Sequence, residues 1–272
     1  MMRSLYTAAS GMKSQQINVD VIANNLANVN STGYKTSSAE FKSLLYQTLQ
    51  TRSTSANGDY KPVPAQVGTG ARNSAITTRF SQGNQLATAN EFGFCIDGAG
   101  FFAVMSSTGD TLFTRNGDFQ MAIASDGGFM LCTQEGYPVL DVDGLPIAFS
   151  PEFEISKISV AGDGTICYPD ENNNLQSMGI KIGIYQVANP AGFDNVGDTM
   201  YRVAEASGEP FEESTNPNLK RSKIIQGYLE GSNVQVADEM VNLIVAQRAY
   251  EMNSKAIQAS DEMLGQANSL RR

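Results

Sequence analysis

Histidine is absent from this 272-residue chain. Its absence removes the Ser-His-Asp and Cys-His nucleophile systems, the His-Glu-x-x-His zinc proteases and most catalytic zinc sites. There is no Gly-x-Ser-x-Gly elbow and no phosphate-binding loop. The nearest approach to a dinucleotide fingerprint, Gly98-Ala99-Gly100, lacks the third glycine. The three cysteines, Cys95, Cys132 and Cys167, are odd in number and widely spaced. Such spacing gives neither a disulfide framework nor a metal cluster, so they read as isolated small hydrophobes. No apolar run reaches the roughly 18 residues that a membrane helix needs. Met1-Met2-Arg3 is not followed by an apolar segment with a small-residue cleavage site, which predicts a cytosolic protein or one exported without a cleaved signal.

Charge is scarce as well. Charged residues make up 17% of the chain, against about 25% in typical domains, and Ser, Thr, Asn and Gln take their place. The hydrophobic fraction of 41% is enough to build a core, and the length suggests about two domains. The net charge of −9 is unevenly distributed: residues 1–90 carry +5, residues 91–219 carry −15 and residues 220–272 carry +1. An acidic middle suits solvent and disfavours nucleic acid, which needs clustered Lys and Arg. Lys220-Arg221-Ser222-Lys223 is too short a basic run for that purpose and reads as a solvated turn.

Seven-residue periodicity marks both ends. Leu5, Met12, Val19 and Leu26 form one row, with Ala8, Gln15, Ile22 and Val29 three residues further on. This is an a/d heptad with a polar fault at Gln15, and it predicts a helix over about residues 3–29. It ends in Asn28-Val29-Asn30-Ser31-Thr32-Gly33, a natural helix terminator. At the other end Val236, Leu243, Tyr250, Ile257 and Leu264 repeat the spacing, with Glu239, Ala246, Asn253, Ser260 and Ala267 as a small, polar companion row. That predicts a second helix over about 234–268, with Ser232 or Asn233 as its cap. The sharper reading of the two stripes is that the helices pair with each other and with copies of themselves.

Between the helices, residues 50–75 are rich in Ser, Thr, Gly and Pro and read as an extended connector. Strand-like runs follow at 92–96, 101–105, 112–114, 129–132, 155–160 and 180–187. Asp97-Gly98, Asn116-Gly117, Asp126-Gly127, Asp143-Gly144 and Asp163-Gly164 punctuate them as hairpin signals. Residues 76–225 therefore read as an antiparallel β domain, with a possible subdivision near residue 145. Asp141-Val142-Asp143-Gly144 lacks the downstream Glu of a calcium loop and reads as a turn. Asp163 with Asp170-Glu171 reads as exposed acidic loops.

The terminal motifs resemble a known family. Leu5-x-x-Ala8-Ala9-x-Gly11-Met12-x-x-Gln15-Gln16, Asp20, Ile22-Ala23-Asn24-Asn25-Leu26-Ala27-Asn28-Val29-Asn30 and Thr32-Gly33-Tyr34-Lys35 resemble the N-terminal signature of the bacterial flagellar rod and hook axial proteins. Gly227-Tyr228-Leu229-Glu230-Gly231-Ser232-Asn233-Val234 and Gln247-Arg248-Ala249-Tyr250-Glu251-x-Asn253-Ser254-Lys255 resemble the same family. Thr114-Arg115-Asn116-Gly117-x-Phe119 and Asn189-Pro190-Ala191-Gly192-Phe193 match its β region. The modest length and the segment at 46–68 point to a rod member rather than a hook member.

The resemblance implies an α+β fold. Residues 1–45 carry the N-terminal helix of a coiled-coil-like terminal domain, 46–75 a connector, 76–225 a mainly antiparallel β outer domain, and 226–272 the C-terminal helix. It implies a structural subunit that forms a rigid helical tube and transmits torque, with no catalytic, cofactor-binding or metal-binding residue. Implied partners are copies of itself, proximal rod proteins, hook-junction or hook proteins, the flagellar type III export apparatus and basal-body bushing rings; nucleic acid and membrane insertion are not implied. Subunit packing falls to Leu5, Met12, Val19, Ile22, Leu26, Leu243, Tyr250, Ile257 and Leu264. The motif residues are Asn24, Asn25, Asn28, Gly33, Gly227, Gly231, Asn233, Gln247, Arg248 and Asn253. A proximal rod or short hook protein is the alternative within the family, and a secreted β-domain adhesin the alternative from another class. An enzyme would have only Asp, Glu or Lys chemistry to work with.

Overall fold

A computed structural model describes residues 2–50, 65–123, 127–170, 174–215 and 220–270. The chain forms two units. One comprises residues 1–27, 37–78 and 235–272; the other comprises 28–36 and 79–234. The fold is α+β: two long helices and a body of antiparallel strands.

The β unit centres on a six-stranded antiparallel sheet in the order Asp194–Gly197, Met200–Arg202, Thr111–Thr114, Phe101–Met105, Ile184–Gln186, Phe211–Glu212. Phe101–Met105 reads as a continuous apolar run because both of its faces are covered. Phe102 and Val104 point into one cluster with Ile96, Phe119, Leu131, Val139, Ile147, Ile166, Ile182 and Ile224. Phe101 and Ala103 point into a second with Phe113 and Leu140. Around Phe193 the rings of Phe80, Phe101 and Phe113 meet at centroid distances of 5.2 to 6.1 Å, in edge-on and stacked geometries that favour aromatic pairs. The first cluster takes residues from both sides of position 145, so the apolar core is continuous there and the expected subdivision is absent.

Three of the five Asx-Gly pairs lie between antiparallel partners, as hairpin turns do. Asp143-Gly144 closes on Asp141, whose N–H donates to the Leu145 carbonyl at 2.8 Å, and Asp163-Gly164 turns Ser159–Val160 into Thr165–Pro169. Asp126-Gly127 links Gln120–Ile123 to Phe129–Cys132, although Asp126 lies outside the described residues. The other two pairs are not hairpins. Phe94–Asp97 pairs with the distant Lys223–Gln226, and a Cβ on Gly117 would collide with the Phe94 carbonyl. These two glycines serve close backbone crossings, a use that a dipeptide does not reveal. Residues 155–160 begin as a short 3-10 turn, Ile155–Lys157, before the strand Ser159–Val160. The expected solvated turn at 220–223 is also corrected, because Ser222 is buried and Lys223 opens a strand.

The other unit holds α1, Met2–Ala27, and α2, Val236–Ser269, about 39 and 51 Å long at 1.5 Å per residue. They run antiparallel against one another. Ser4 meets Ser260 at 3.2 Å, and Asn25 meets Glu239 at 3.4 Å. A Cβ on Gly11 would stand 3.0 Å from the Asn253 amide. Seven residues along α1 thus correspond to seven back along α2, and the face that α2 offers is its small, polar row. Gln235 is the N-cap of α2 and makes no side-chain cap bond. Neither Ser232 nor Asn233 caps, because the Asn233 side chain is engaged elsewhere. Asp238 and Glu239 supply acidic charge to the first turn instead.

The boundaries expected at 1–45, 46–75 and 226–272 shift accordingly. The first helix stops at Ala27, and Ser37–Ser43 is a strand paired with Ala71–Thr78 through a bulge at Glu40/Phe41. Tyr46–Gln50 pairs with Ala65–Gly68, and Leu44 and Thr69 bridge the two ladders by donating to Gly70 O (2.8 Å) and Leu45 O (3.3 Å). The expected connector is therefore, on either side of 51–64, the two arms of a continuous two-stranded ribbon; residues 51–64 lie outside the described residues. The ribbon's backbones pair with each other, and none of its described residues is buried. Residues 226–234 stay with the β unit, held by Glu230.

Candidate functional site

The two units expose different chemistry. Of the expected packing residues, Ile22 is buried, and Leu5, Met12, Val19, Leu26, Leu243, Ile257 and Leu264 are half-buried beside the helix–helix contact; Tyr250 is exposed. The buried positions on α2 are Glu239, Ala246 and Ser260. On the opposite side of α2, Met240, Val241, Ile244, Val245 and Met252 are exposed, Val241 and Val245 by 59% and 61%. The ribbon adds Phe41, Leu45, Tyr46, Leu49 and Ile76, with Leu45 at 87%. Isolated exposed apolar residues are ordinary, but a run of them on consecutive turns of one helix marks a surface that binds.

Charge differs in the same direction. The helix unit carries ten basic and eight acidic residues, net +2, whereas the β unit carries nine basic and twenty acidic, net −11. Two copies repel through their β units and have no such obstacle through their helix units.

The motif residues fall into two groups. In the helix unit, Asn25 acts as a surrogate strand: its Oδ1 accepts the Ser37 N–H at 3.0 Å and its Nδ2 donates to the Ser37 carbonyl at 2.8 Å. Asn253 packs against Gly11, while Asn24, Gln247 and Arg248 are on the exposed surface. In the β unit, Asn28 Oδ1 accepts from Ser31 Oγ at 3.1 Å. Gly33 has φ +69°, and a Cβ there would press on the Arg115-Asn116 backbone. Gly227, at φ +78°, donates to the Gly93 carbonyl, and Gly231 donates to the Asn84 carbonyl.

Three residues that were quoted within motifs but not singled out form the most conspicuous polar feature. Glu230 is buried and its carboxylate is shared. Oε1 accepts from Lys35 Nζ at 2.5 Å and from the Gly83 N–H at 2.9 Å; Oε2 accepts from Arg115 NH1 at 3.2 Å. Lys35 also donates to the Ser81 carbonyl at 2.8 Å and Arg115 to the Gly98 carbonyl at 2.7 Å. The Arg115 guanidinium lies 4.9 Å from the Phe101 ring centroid. Burial lowers the Lys35 pKa, against the pull of Glu230. Burial pushes the Cys95 thiol up to about 11, with Glu230 adding to the effect. A signal did exist in the sequence: Lys35 and Glu230 are each the one charged residue in their motif stretches, 32–35 and 227–234, and Arg115 is the one cation in 114–119.

The Asp163 carboxyl caps its own turn, with the Thr165 hydroxyl at 2.9 Å and the Thr165 N–H at 3.2 Å, which hold its pKa low; Glu171 lies outside the described residues. Among the described residues no three His, Cys, Asp or Glu side chains are placed to share a metal ion.

Comparison with known proteins matches this arrangement along the chain. Residues 5–35 match the family described as flagella basal body rod protein, residues 95–168 the flagellar hook protein FlgE/F/G D1 domain, and residues 225–270 the flagellar basal body rod FlgEFG protein C-terminal family. The chain is 42% identical over its full length to the whole flagellar basal-body rod protein FlgG of Borreliella burgdorferi. The chain belongs to the flagellar basal-body rod protein family. It is also 36% identical to the FlgG rod protein of Bacillus subtilis, over all of both chains. Over the same extent it is 30% identical to the flagellar hook-basal body complex protein FlhP of that organism. A rod protein of this family is a structural component of the flagellar basal body, and the matched stretches 5–35 and 225–270 contain Asn25, Gly33, Lys35, Glu230 and Asn233.

Proposed function

We propose that the chain is the subunit of the distal rod: a homopolymer whose helix units pack side by side as the inner wall of a rigid tube, with the acidic β units outward. Apolar side chains exposed on successive turns of α2, facing away from α1, carry this reading. Burying each of them on assembly contributes up to roughly 1.5–3 kcal/mol, repeated in every subunit. The antiparallel helix pair then becomes one element of a larger coiled seam in which Leu5, Met12, Val19, Ile22, Leu26, Leu243, Tyr250, Ile257 and Leu264 become fully covered. Export through the flagellar type III apparatus fits three unpaired cysteines, because no disulfide has to be broken for threading. Proximal rod, hook-junction and hook proteins would take the two ends of the tube, and bushing rings its outer surface.

Concentrating the purified full-length chain tests the proposal. Wild type should form straight tubes visible by electron microscopy. Val241→Asp should remain monomeric while its β unit melts as in wild type. A wild-type protein that stays monomeric at every concentration and salt would remove the reading.

A further inference from the structure

The β unit gives up and takes back the chain at four peptide links, 27–28, 36–37, 78–79 and 234–235. Three of these links start from residues gathered around one side chain of the β unit itself. Asn233 Oδ1 accepts from the Thr36 N–H at 2.7 Å and from the Thr36 hydroxyl at 2.6 Å. Its Nδ2 donates to the Arg79 carbonyl at 2.8 Å and to Ser81, with Oγ at 2.8 Å and the carbonyl at 3.2 Å. Arg79 in turn donates its N–H to the Thr36 carbonyl at 2.8 Å. The orientation of the amide is unambiguous, since a backbone N–H only donates and a backbone carbonyl only accepts. Every donor and acceptor of the amide is in use. Thr36, Arg79 and Val234 are the last residues of the β unit at three links, and Asn233 or its direct partner touches each stem.

Behind this amide stands the Glu230 cluster. Glu230 reaches the first stem through Lys35 and, with its backbone carbonyl, through the Gly33 N–H at 2.7 Å; it reaches the second through Gly83. Neither Asn233 nor Glu230 belongs to the apolar clusters of the β core. A shared buried carboxylate contributes little net stability but accepts only one geometry, and this is the best-attested use of such groups.

We propose that Asn233 is a positioning residue for assembly. Its amide, anchored by the Lys35–Glu230–Arg115 cluster, ties Thr36, Arg79 and the 233–234 stem of the β unit into one joint, and tube formation depends on that joint rather than on the β core alone. The proposal rests on the self-assembly reading above. It is tested in the full-length chain by amide hydrogen exchange on the monomer together with tube yield. In Asn233→Ala the Thr36 and Arg79 amides should exchange at least about ten-fold faster while Val104 and Ile182 stay within about two-fold, as a local opening requires. Tube yield should fall by at least about ten-fold. Asn233→Asp keeps the acceptor for Thr36 but loses the donors to Arg79 and Ser81, so the Thr36 amide should stay slow while tubes are still lost.

Normal tubes from Asn233→Ala with a fast Thr36 amide overturn the proposal. So does a Thr36 amide that stays slow in Asn233→Ala. Core amides accelerating in step would make Asn233 an ordinary stability residue, which overturns it too. If wild type itself forms no tubes, the self-assembly reading fails, and the exchange rates still decide whether the joint exists.

Discussion

The β unit and the helix unit bury different balances of apolar and polar groups. The β unit hides its aromatics and branched aliphatics in a dry core and spends one buried carboxylate on its stems. The helix unit buries Ala8, Val21 and Ile22 on α1, but on α2 it hides only Glu239, Ala246 and Ser260 and leaves valines, methionines and an isoleucine in water. A unit that keeps its apolar groups inside is complete as a monomer. A unit that keeps its polar groups inside is half of an interface. Substitutions should therefore register as lost stability in the first and as lost assembly in the second.

The largest expected effect tests that division. Ile257→Asp or Leu26→Asp places a carboxylate in the seam, where an unpaired buried charge costs several kcal/mol in every subunit. Both should abolish rods and motility while thermal unfolding of the β unit, followed by circular dichroism, stays put. Gln258→Asp, on an exposed position, should be tolerated. Normal rods from Ile257→Asp would break the comparison.

Next comes the converse. Glu230→Gln leaves Lys35 and Arg115 buried without a counter-charge, which should cost about 3–5 kcal/mol of β-unit stability. Denaturant unfolding measures it, and an unchanged midpoint would show that water reaches the cluster. Lys35→Met removes a cation that burial already disfavours and should cost far less.

A smaller effect separates the units by pH. The folded β unit holds Cys95 as a neutral thiol up to about 11, whereas the unfolded chain ionises it from about 9. Stability is thus whole below pH 9 and falls as pH rises towards 11. Burial raises Tyr201 and Tyr185 as well, so they add to the loss above their ordinary value of 10. Lys35 works in the opposite direction. Its lowered pKa penalises the folded state most at low pH; the penalty fades as pH rises from that lowered value and is gone by 10.5. Burial raises the Cys132 thiol as well, so melting curves of Cys95→Ala should show a shallower decline between about pH 9 and 10 than wild type, and Cys95→Ala with Cys132→Ala a shallower one still.

The smallest is ionic. With −11 on the β unit and +2 on the helix unit, moderate salt should speed tube growth by screening the outer repulsion. The Debye length falls from about 30 Å at 0.01 M to about 10 Å at 0.1 M. Light scattering across that range measures it, and slower growth in salt would place attractive ion pairs in the seam instead.

Much of this was legible in the sequence, and the exceptions have physical causes. Heptad spacing placed both helices within about two residues of their ends, because a 3.5-residue period needs no partner to be visible. It did not reveal which row of α2 meets α1, since spacing says nothing of orientation; Gly11 opposite Asn253 decides that. Residues on either side of 51–64 looked like a connector because a two-stranded ribbon has no buried face and hence no alternation. Glu230, Lys35 and Arg115 were visible as charges, but their pairing was hidden because they are far apart along the chain. Asn233 was read as a cap because Asn before a helix usually is one.

The outermost strands of the six-stranded sheet, Asp194–Gly197 and Phe211–Glu212, are four and two residues long, and each carries an acidic side chain. In a tube these sheets would be held at a crowding far beyond anything a free monomer meets, day after day. Long bare edges would zip together under such crowding. Brief, charged ones let neighbours jostle for the lifetime of the shaft without fusing into fibre.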